Sequence, residues 1–440
     1  MLNQIVEALN KRTDLAGWTV RHVKSHEAQI YAVPRGIESH RKVDGERYLI
    51  DVLRKTSTAD GSPAVGSGDV ALLPGEEIGH AIDQAALVAG LVSNPVYGLP
   101  GPAEFPNVSL CDDKLRKNSM DTMLAVMERI QAAAAKHPEV KLTAAECFGE
   151  IRHTHLVNSR GIDVRQESTD VVIEYVLHSR RGDVEMETFN EVTRRRVSDL
   201  DLEASIQDRV QYTLDSFSAQ PPVSWQGPVV LRGDTLALFM AGDDLNGSVI
   251  QTLASASAKY AQFSPWEVGK SVFRGEVKGD PLTVWANRVL PYGTGSNRFD
   301  SEGLPAGRVQ LIRENLLSTF SASQRYAEYL NIPPTGAFGN IELPPGTTPA
   351  SDLLAEPYVE IVQFSWFNPD TITGDFASEI RFGYLVENGM RKPFKGGQLV
   401  GNYMDALADI RWSEETGFVG SYLGPHTARF NDLRITGLGE

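Results

Sequence analysis

Nine histidines are spread unevenly along the 440 residues: eight stand at or before His178, and only His426 lies in the second half. Zinc-peptidase chemistry asks for two imidazoles one helical turn apart, with a carboxylate beside the metal-bound water. His26-Glu27 begins that way, but Ile30 and Tyr31 occupy the positions where a second histidine would stand, and the stretch has the pattern of a strand. Glu77 and His80 lie three apart on an expected helix, which makes a surface ion pair before it makes half of a metal site. His153 and His155 lie two apart, so a strand places both rings on one face. They are the candidates nearest to a metal site, with Glu150 or His178 as further ligands. The plainer reading is polar residues on a wet sheet face, and no complete catalytic set is present.

Other chemistries leave less trace. Ser264 to Ser271 matches only the tail of a nucleotide P-loop: a serine holds the place of the first glycine, and no apolar strand precedes it. Gly293 and Gly295 lack the third glycine of a dinucleotide loop. No Gly-x-Ser-x-Gly elbow occurs, which leaves a typical serine hydrolase without support.

Charge and cysteine content narrow the classes further. There are 42 basic and 57 acidic residues, a net charge of −15, which opposes direct nucleic-acid binding. Arg194-Arg195-Arg196 is the one basic run. With Asp199, Asp201 and Glu203 after it, it reads as a solvated, ion-paired face. Cys111 and Cys147 are the only cysteines, too few for a disulfide framework or a Cys-rich zinc module. Two reduced thiols fit a cytoplasmic protein. The N-terminus shows no basic or apolar signal region. No apolar stretch reaches the ~20 residues that span a bilayer.

The elements that must carry these residues are mixed. Leu2, Ile5, Val6 and Leu9 mark a helix over about 2–12. Strand-like runs follow near 17–24, 27–33 and 46–55. Glu76 and Glu77 open a second helix, and Ser119 is the expected cap of a third that carries Met120, Met123, Met127 and Ile130. Val171, Ile173, Tyr175 and Leu177 alternate up to a turn at Arg181-Gly182-Asp183, which predicts an antiparallel hairpin. Ser198 is the expected cap of a helix with Leu202, Ile206, Val210 and Leu214 on one side. Ser216 to Pro228 then breaks the pattern with Pro221, Pro222 and Gly227. The chain is therefore divided into domains 1–217 and 228–440, with a linker at about 218–227. In the second half, strands are expected at 228–232, 282–290, 308–313, 357–365, 377–386 and 397–402, with long loops at 291–308 and 332–350.

That half also carries an ordered series of short segments. They are Asn297 to Pro305, Val309-Gln310-Leu311-Ile312, Pro334-Thr335-Gly336, Thr373-Gly374-Asp375-Phe376, Gly383 to Gly389, Lys392-Pro393, Leu399-Val400-Gly401-Asn402 and Asp432 to Gly437. In order and spacing the series resembles the C-terminal domain of the TldD/PmbA family, also called TldD/TldE, and Asn158-Ser159-Arg160-Gly161 is similar as well. Asp300, Glu302, Gly303, Pro334, Gly336, Gly374, Gly401 and Asn402 are the family-motif positions. As turn and cap formers, their reading is structural. The resemblance implies an α+β fold with an N-terminal mixed α/β domain and a β-rich C-terminal domain. It also implies a peptidase system. In that family the TldD type carries His-Glu-x-x-x-His on a C-terminal-domain helix, with a later cysteine as third zinc ligand. The TldE or PmbA type lacks the set and associates with the first. Here the corresponding helix falls at about 234–245 and has no histidine, and no cysteine follows Cys147. The resemblance is therefore to the TldE/PmbA side.

The resulting expectation is a non-catalytic, cytoplasmic subunit with no cofactor of its own. Zinc would reside in a TldD-like partner, joined as a heterodimer, or the chain would form a homodimer. The substrate would be a peptide or an unfolded segment, with no direct nucleic acid and no membrane. Family names mention modulation of DNA gyrase; an effect through proteolysis of another protein suits the acidic chain better. Two alternatives remain. One is a stand-alone hydrolase around His153, His155 and His178 or the pair Asp243-Asp244. The other is a homo-oligomeric peptide-binding protein.

Overall fold

Alternation of apolar and polar residues organises the first half of the chain. In the computed structural model, which describes residues 1–222, 224–243 and 247–437, six strands form one antiparallel sheet. They are β1 (Leu15–Val33), β2 (Gly36–Ser57), β3 (Pro63–Leu72), β4 (Lys141–Asn158), β5 (Asp163–Arg181) and β6 (Val184–Arg194), in the order β3-β2-β1-β4-β5-β6. Helices α1 (Leu2–Asn10), α2 (Ile78–Gly90), α3 (Asp113–Lys117), α4 (Ser119–Ala134) and α5 (Leu202–Asp215) accompany it. Trp18, Val20, Ile50 and Val52 bury themselves under α1 and α2. Ile30, Cys147, Ile173 and Tyr175 do so under α4 and α5. Both groups lie on the same face of the sheet, because β1 runs without a register shift from Gly17 to Tyr31. The approach of α2 is backbone to backbone: a Cβ on Gly68 would stand 2.2 Å from the Ala85 carbonyl oxygen. On the other face, Leu156, Ile162 and Val164 pack with Phe299 from the second half.

The second half holds β7 (Trp225–Arg232), α6 (Gly233–Ala241), α7 (Val249–Leu253), α8 (Ala256–Tyr260), β8 (Val284–Asn287), β9 (Arg308–Arg313), β10 (Leu316–Leu317), α9 (Gln324–Leu330), β11 (Asn340–Glu342) and α10 (Ala350–Leu353). After these come β12 (Tyr358–Phe364), β13 (Asp375–Glu387), β14 (Met390–Phe394), β15 (Gln398–Asn402), α11 (Tyr403–Ala408), β16 (Ile410–Trp412), β17 (Thr416–Val419), β18 (Tyr422–Pro425) and β19 (Thr427–Thr436). One sheet has the order β10-β9-β8-β11-β18-β17. The other runs β12-β7-β19-β15-β13-β14, and β12 also pairs with β13. Strands β7, β12, β13, β15 and β19 thus form a closed circuit, which removes open edges. Phe239 of α6 stacks on Tyr403 at 4.5 Å and packs on Phe367 and Phe430. This aromatic core fixes α6 against the circuit.

The α+β architecture and the expected strand positions agree with the structure; several local expectations do not. The runs 17–24 and 27–33 are one strand, because Ser25 and His26 continue the ladder with Gly45 and Asp44. Ser119 is the first residue of α4 rather than its cap. Asn118 caps it, its side chain accepting from the Asp121 amide. Ser198 lies in a short 3-10 turn, and Asp201 caps α5 by accepting from the Ala204 amide. In both places a carboxamide or carboxylate outcompetes the nearby serine. The interval 332–350 contains β11, and the strands β16 to β19 were not foreseen; β19 alone holds β7, β15 and β16 together. No helix among the described residues is long and apolar enough to cross a membrane.

Candidate functional site

The turn from β7 into α6 is made by Gly233, whose φ of +52° lies in the left-handed region and whose amide donates to the His426 carbonyl. Around this turn opens a cleft of 620 Å³, bounded by α5 and β6 on one side and by α6, β12, β14 and β17 on the other. Val192, Arg194, Asp234 and Val419 also line an adjoining cavity of 490 Å³ that follows α6 toward Gly242. Together they form a groove along the helix.

Its walls are charged. Arg391 Nη2 binds Glu360 Oε2 at 2.8 Å, and Arg232 Nη1 stands 3.5 Å from Glu360 Oε1. Glu360 is buried between them. Arg391 also lies over the Tyr384 ring at 3.5 Å, and the Tyr384 hydroxyl donates to Asp215 Oδ2 at 2.6 Å. Arg194 Nη2 is 3.7 Å from Asp234. Arg209, from α5, is buried and its Nη1 has no hydrogen-bond partner among the described residues. Burial pushes the Asp208 carboxyl up. Burial, and then the charge of Arg232, pushes the His426 imidazole down. The edge of the groove is β17, the last strand of its sheet, which pairs only with β18 among the described strands.

These residues do not fit a zinc ion. His426 is the cleft's single imidazole and stands beside a guanidinium, and no thiol is near. Structural and catalytic zinc sites use at least three N, S or O ligands from the protein. Among the described residues no group of three or more His, Cys, Asp or Glu side chains is placed to hold a metal. What the groove offers is charged walls, a buried ion pair at Glu360 and an open strand edge.

The other sequence candidates fall elsewhere. His153 and His155 do share a face of β4, but each faces a carboxylate: His155 Nε2 is 2.7 Å from Asp163 and His153 Nδ1 is 3.6 Å from Glu167. Glu150 pairs with Arg152. His178 sits opposite Lys141, twelve residues along β4 from His153, so at ~3.3 Å per residue it is about 40 Å away. The histidine set therefore does not converge. Asp243 borders the smaller cavity; Asp244 lies outside the described residues, as does Leu245 at the end of the segment matched to the family helix. Both cysteines are free, and burial pushes the Cys111 thiol up to about 11.

The family-motif positions shape the backbone. Asp300 Oδ1 accepts from the amides of Glu302, Gly303 and Leu304, and Oδ2 accepts from Ala337. Gly336, at φ +79°, leaves room for the Arg288 guanidinium, which a Cβ there would meet at 2.6 Å. Gly303, Gly374 and Gly401 lie in tight turns or beside packed side chains, and Pro334 is exposed just before that Thr335-Gly336 turn. Asn402 caps α11 by accepting from Met404 and Asp405. Glu302 Oε2 accepts from the Gln324 amide at the start of α9.

The arginine run is corrected most. Arg195 is 7% exposed and reaches the second half, donating to the carbonyls of Gly293, Thr294 and Ser296 while pairing with Asp170. Arg196 clamps Asp199 and covers the Tyr292 ring at 3.9 Å. Only Arg194 reaches the cleft. Carbonyls more than ninety residues away are invisible to a local charge count.

Residues 230–437 match the family model of the PmbA/TldA metallopeptidase C-terminal domain. Among curated proteins, the chain is similar to the zinc metalloprotease TldD homolog of Saccharolobus solfataricus, 19% identical over 332 residues, covering 70% of this chain and 71% of that one. It is also similar to the protein MJ0231 of Methanocaldococcus jannaschii, 25% identical over 280 residues, covering 59% and 61%. Two solved structures share the fold over 99% of this chain and 100% of theirs. They are TM0727 of Thermotoga maritima, whose name carries modulation of a DNA gyrase (TM-score 0.80, 18% identity), and TldE of Thermococcus kodakarensis (TM-score 0.79, 19% identity).

Proposed function

Because the chain belongs to the TldD/PmbA family, we propose that it is the non-catalytic subunit of a cytoplasmic metallopeptidase pair, holding peptide for a TldD-like chain that carries the zinc. The observation that carries this reading is the α6 groove: an open strand edge faces charged walls, and no metal-ligand set is present among the described residues. An extended peptide adds to such an edge through main-chain hydrogen bonds, which read little sequence. Arg194, which lines both cavities, is placed to meet its carbonyls or acidic side chains. The net charge of −15 favours an influence on DNA enzymes through proteolysis over direct DNA contact.

The test is zinc content and cleavage of an unfolded peptide by the pure chain, by a TldD-like chain, and by the two mixed. The expected result is zinc and activity only where the TldD-like chain is present, with activity raised by mixing. Stoichiometric zinc and robust cleavage from the pure chain would overturn the reading.

A further inference from the structure

Two guanidiniums share one carboxylate at one end of the α6 groove. Arg232 of β7, Glu360 of β12 and Arg391 of β14 lie on the sheet face that carries Val230 and Tyr384 and packs against Tyr212 of α5. Glu360 is 6% exposed and gives one oxygen to each arginine. Each guanidinium carries five N–H donors, and neither has another hydrogen-bond or ion-pair partner among the described residues. The Arg232 side chain is 41% exposed and that of Arg391 42%, and both line the cleft. Glu360 and the Tyr384 ring under Arg391 hold the two heads in place, so their remaining donors are already positioned for a ligand. Asp208 stands among Arg209, Arg232 and Arg391, so three guanidiniums meet two carboxylates here. Of the other acids lining the cleft, Asp234 pairs with Arg194, Asp199 with Arg196, and Asp201 caps α5.

The open edge beside this pair has a direction. Pro425 has no amide, so Thr416 and Pro425 form a non-hydrogen-bonded pair of the β17–β18 ladder. Bonded and non-bonded pairs alternate, which makes Phe418–Leu423 a non-bonded pair as well. The Leu423 carbonyl accordingly accepts from the Leu343 amide on its other side. The amide and carbonyl of Phe418 therefore point away from β18, and Phe418 lines the cleft. His426 ties the start of β17 to the arginines. A Cβ on Gly417 would stand 3.2 Å from its ring, and one on Gly233, next to Arg232, 3.7 Å from it. From there β17 runs to Val419, which lines both cavities, and the chain goes on to Ser421. Antiparallel pairing is the more stable kind. A strand added antiparallel to β17 runs the opposite way and ends toward Arg232 and Arg391.

We propose that Arg232 and Arg391 bind the C-terminal carboxylate of a peptide lying antiparallel to β17. The proposal rests on the reading of the groove as a peptide site and adds its direction and its anchor. A guanidinium matches a carboxylate through paired, charge-assisted N–H···O bonds. The substrate class that follows is short peptides and free chain ends rather than internal segments.

The experiment titrates the full chain by calorimetry with three peptides. They are acetyl-Ala-Thr-Ala-Thr-Ala, its C-terminal amide, and acetyl-Ala-Thr-Glu-Thr-Ala amide, which moves the carboxylate to a side chain. The acid should bind about tenfold more tightly than either amide. Arg232→Gln and Arg391→Gln should each weaken the acid about tenfold and leave the simple amide within about twofold. The comparison of acid with amide on the parent chain needs no variant, which keeps the test open if a variant fails to fold. Equal binding of the acid and either amide would overturn the proposal and leave the groove reading standing. Absence of binding by all three peptides would overturn both. For the direction, a benzoylphenylalanine at the peptide's amino end should crosslink near Gly242 on illumination; a crosslink to β14 would overturn the antiparallel arrangement.

Discussion

Arg288 is 1% exposed, and its guanidinium stands 3.2 Å from Asp300 in a pair whose hydrogen-bond alignment is poor; Nη2 instead donates to the carbonyls of Leu304 and Pro305. Burial pushes the Arg288 pKa down and the Asp300 charge opposes this. Removing one partner of such a pair leaves a buried charge uncompensated, at a cost of about 3–5 kcal/mol. Asp300→Ala should lose stability on that scale in urea unfolding, with Asp300→Asn losing less because its carbonyl still accepts from the turn amides. Glu302 gives a pH signature. Its folded pKa of about 7 lies above the unfolded 4.5, so between these values the folded state holds the extra proton. Stability then falls as pH rises from about 4.5 to 7 and levels off above. Glu302→Gln should remove that part of the slope and be the more stable protein at pH 8, as unfolding midpoints at pH 5 and 8 would reveal.

At the scale of elements, α2 has two faces. Ala81, Ala85 and Ala89 are small enough to bring it onto the glycines of β3, while Leu87 and Leu91 are 64% and 79% exposed one turn apart. With Val88 and Val92 they make a contiguous exposed apolar patch, and we propose it as a surface for self-association. Leu87→Asp with Leu91→Asp should shift sedimentation toward the monomer and leave the unfolding midpoint within about 0.5 kcal/mol of the parent. Much of this level was legible beforehand. The β5–β6 hairpin and α5 follow from periods of 2 and 3.6 residues. The caps at Asn118 and Asp201 did not, because several polar residues competed within one turn. Strands β16 to β18 are three or four residues long, too short for alternation to show.

For the whole molecule, the contact between halves turns on Arg195. Its guanidinium satisfies a row of carbonyls in the 293–296 loop while its charge rests on Asp170. Arg195→Ala should cost about 3 kcal/mol. With 1–217 and 228–440 taken as the two domains, it should also speed protease cleavage between them. Unchanged cleavage kinetics would place the interface energy elsewhere, for instance in the packing of Phe299 against Leu156 and Val164.

The sequence by itself determined the α+β character, the positions of the longer strands in the second half and the β5–β6 hairpin, and the absence of a histidine on the segment matched to the family helix. Each is a local property: alternation, turn chemistry or residue identity. The α6 groove and the 260 Å³ cavity lined by Thr19, Asp51 and Glu302 were decided only by tertiary structure. Arg209, Arg391 and Glu360 are separated by up to 182 residues, and nothing near any of them in the chain marks a site. Thr19, Asp51 and Asp69 fall in one row because two long antiparallel ladders hold one register, and Glu302 covers that row only when the second half docks. Register and docking are cooperative outcomes of packing. They bring together groups whose spacing along the chain carries no signal of their distance in space.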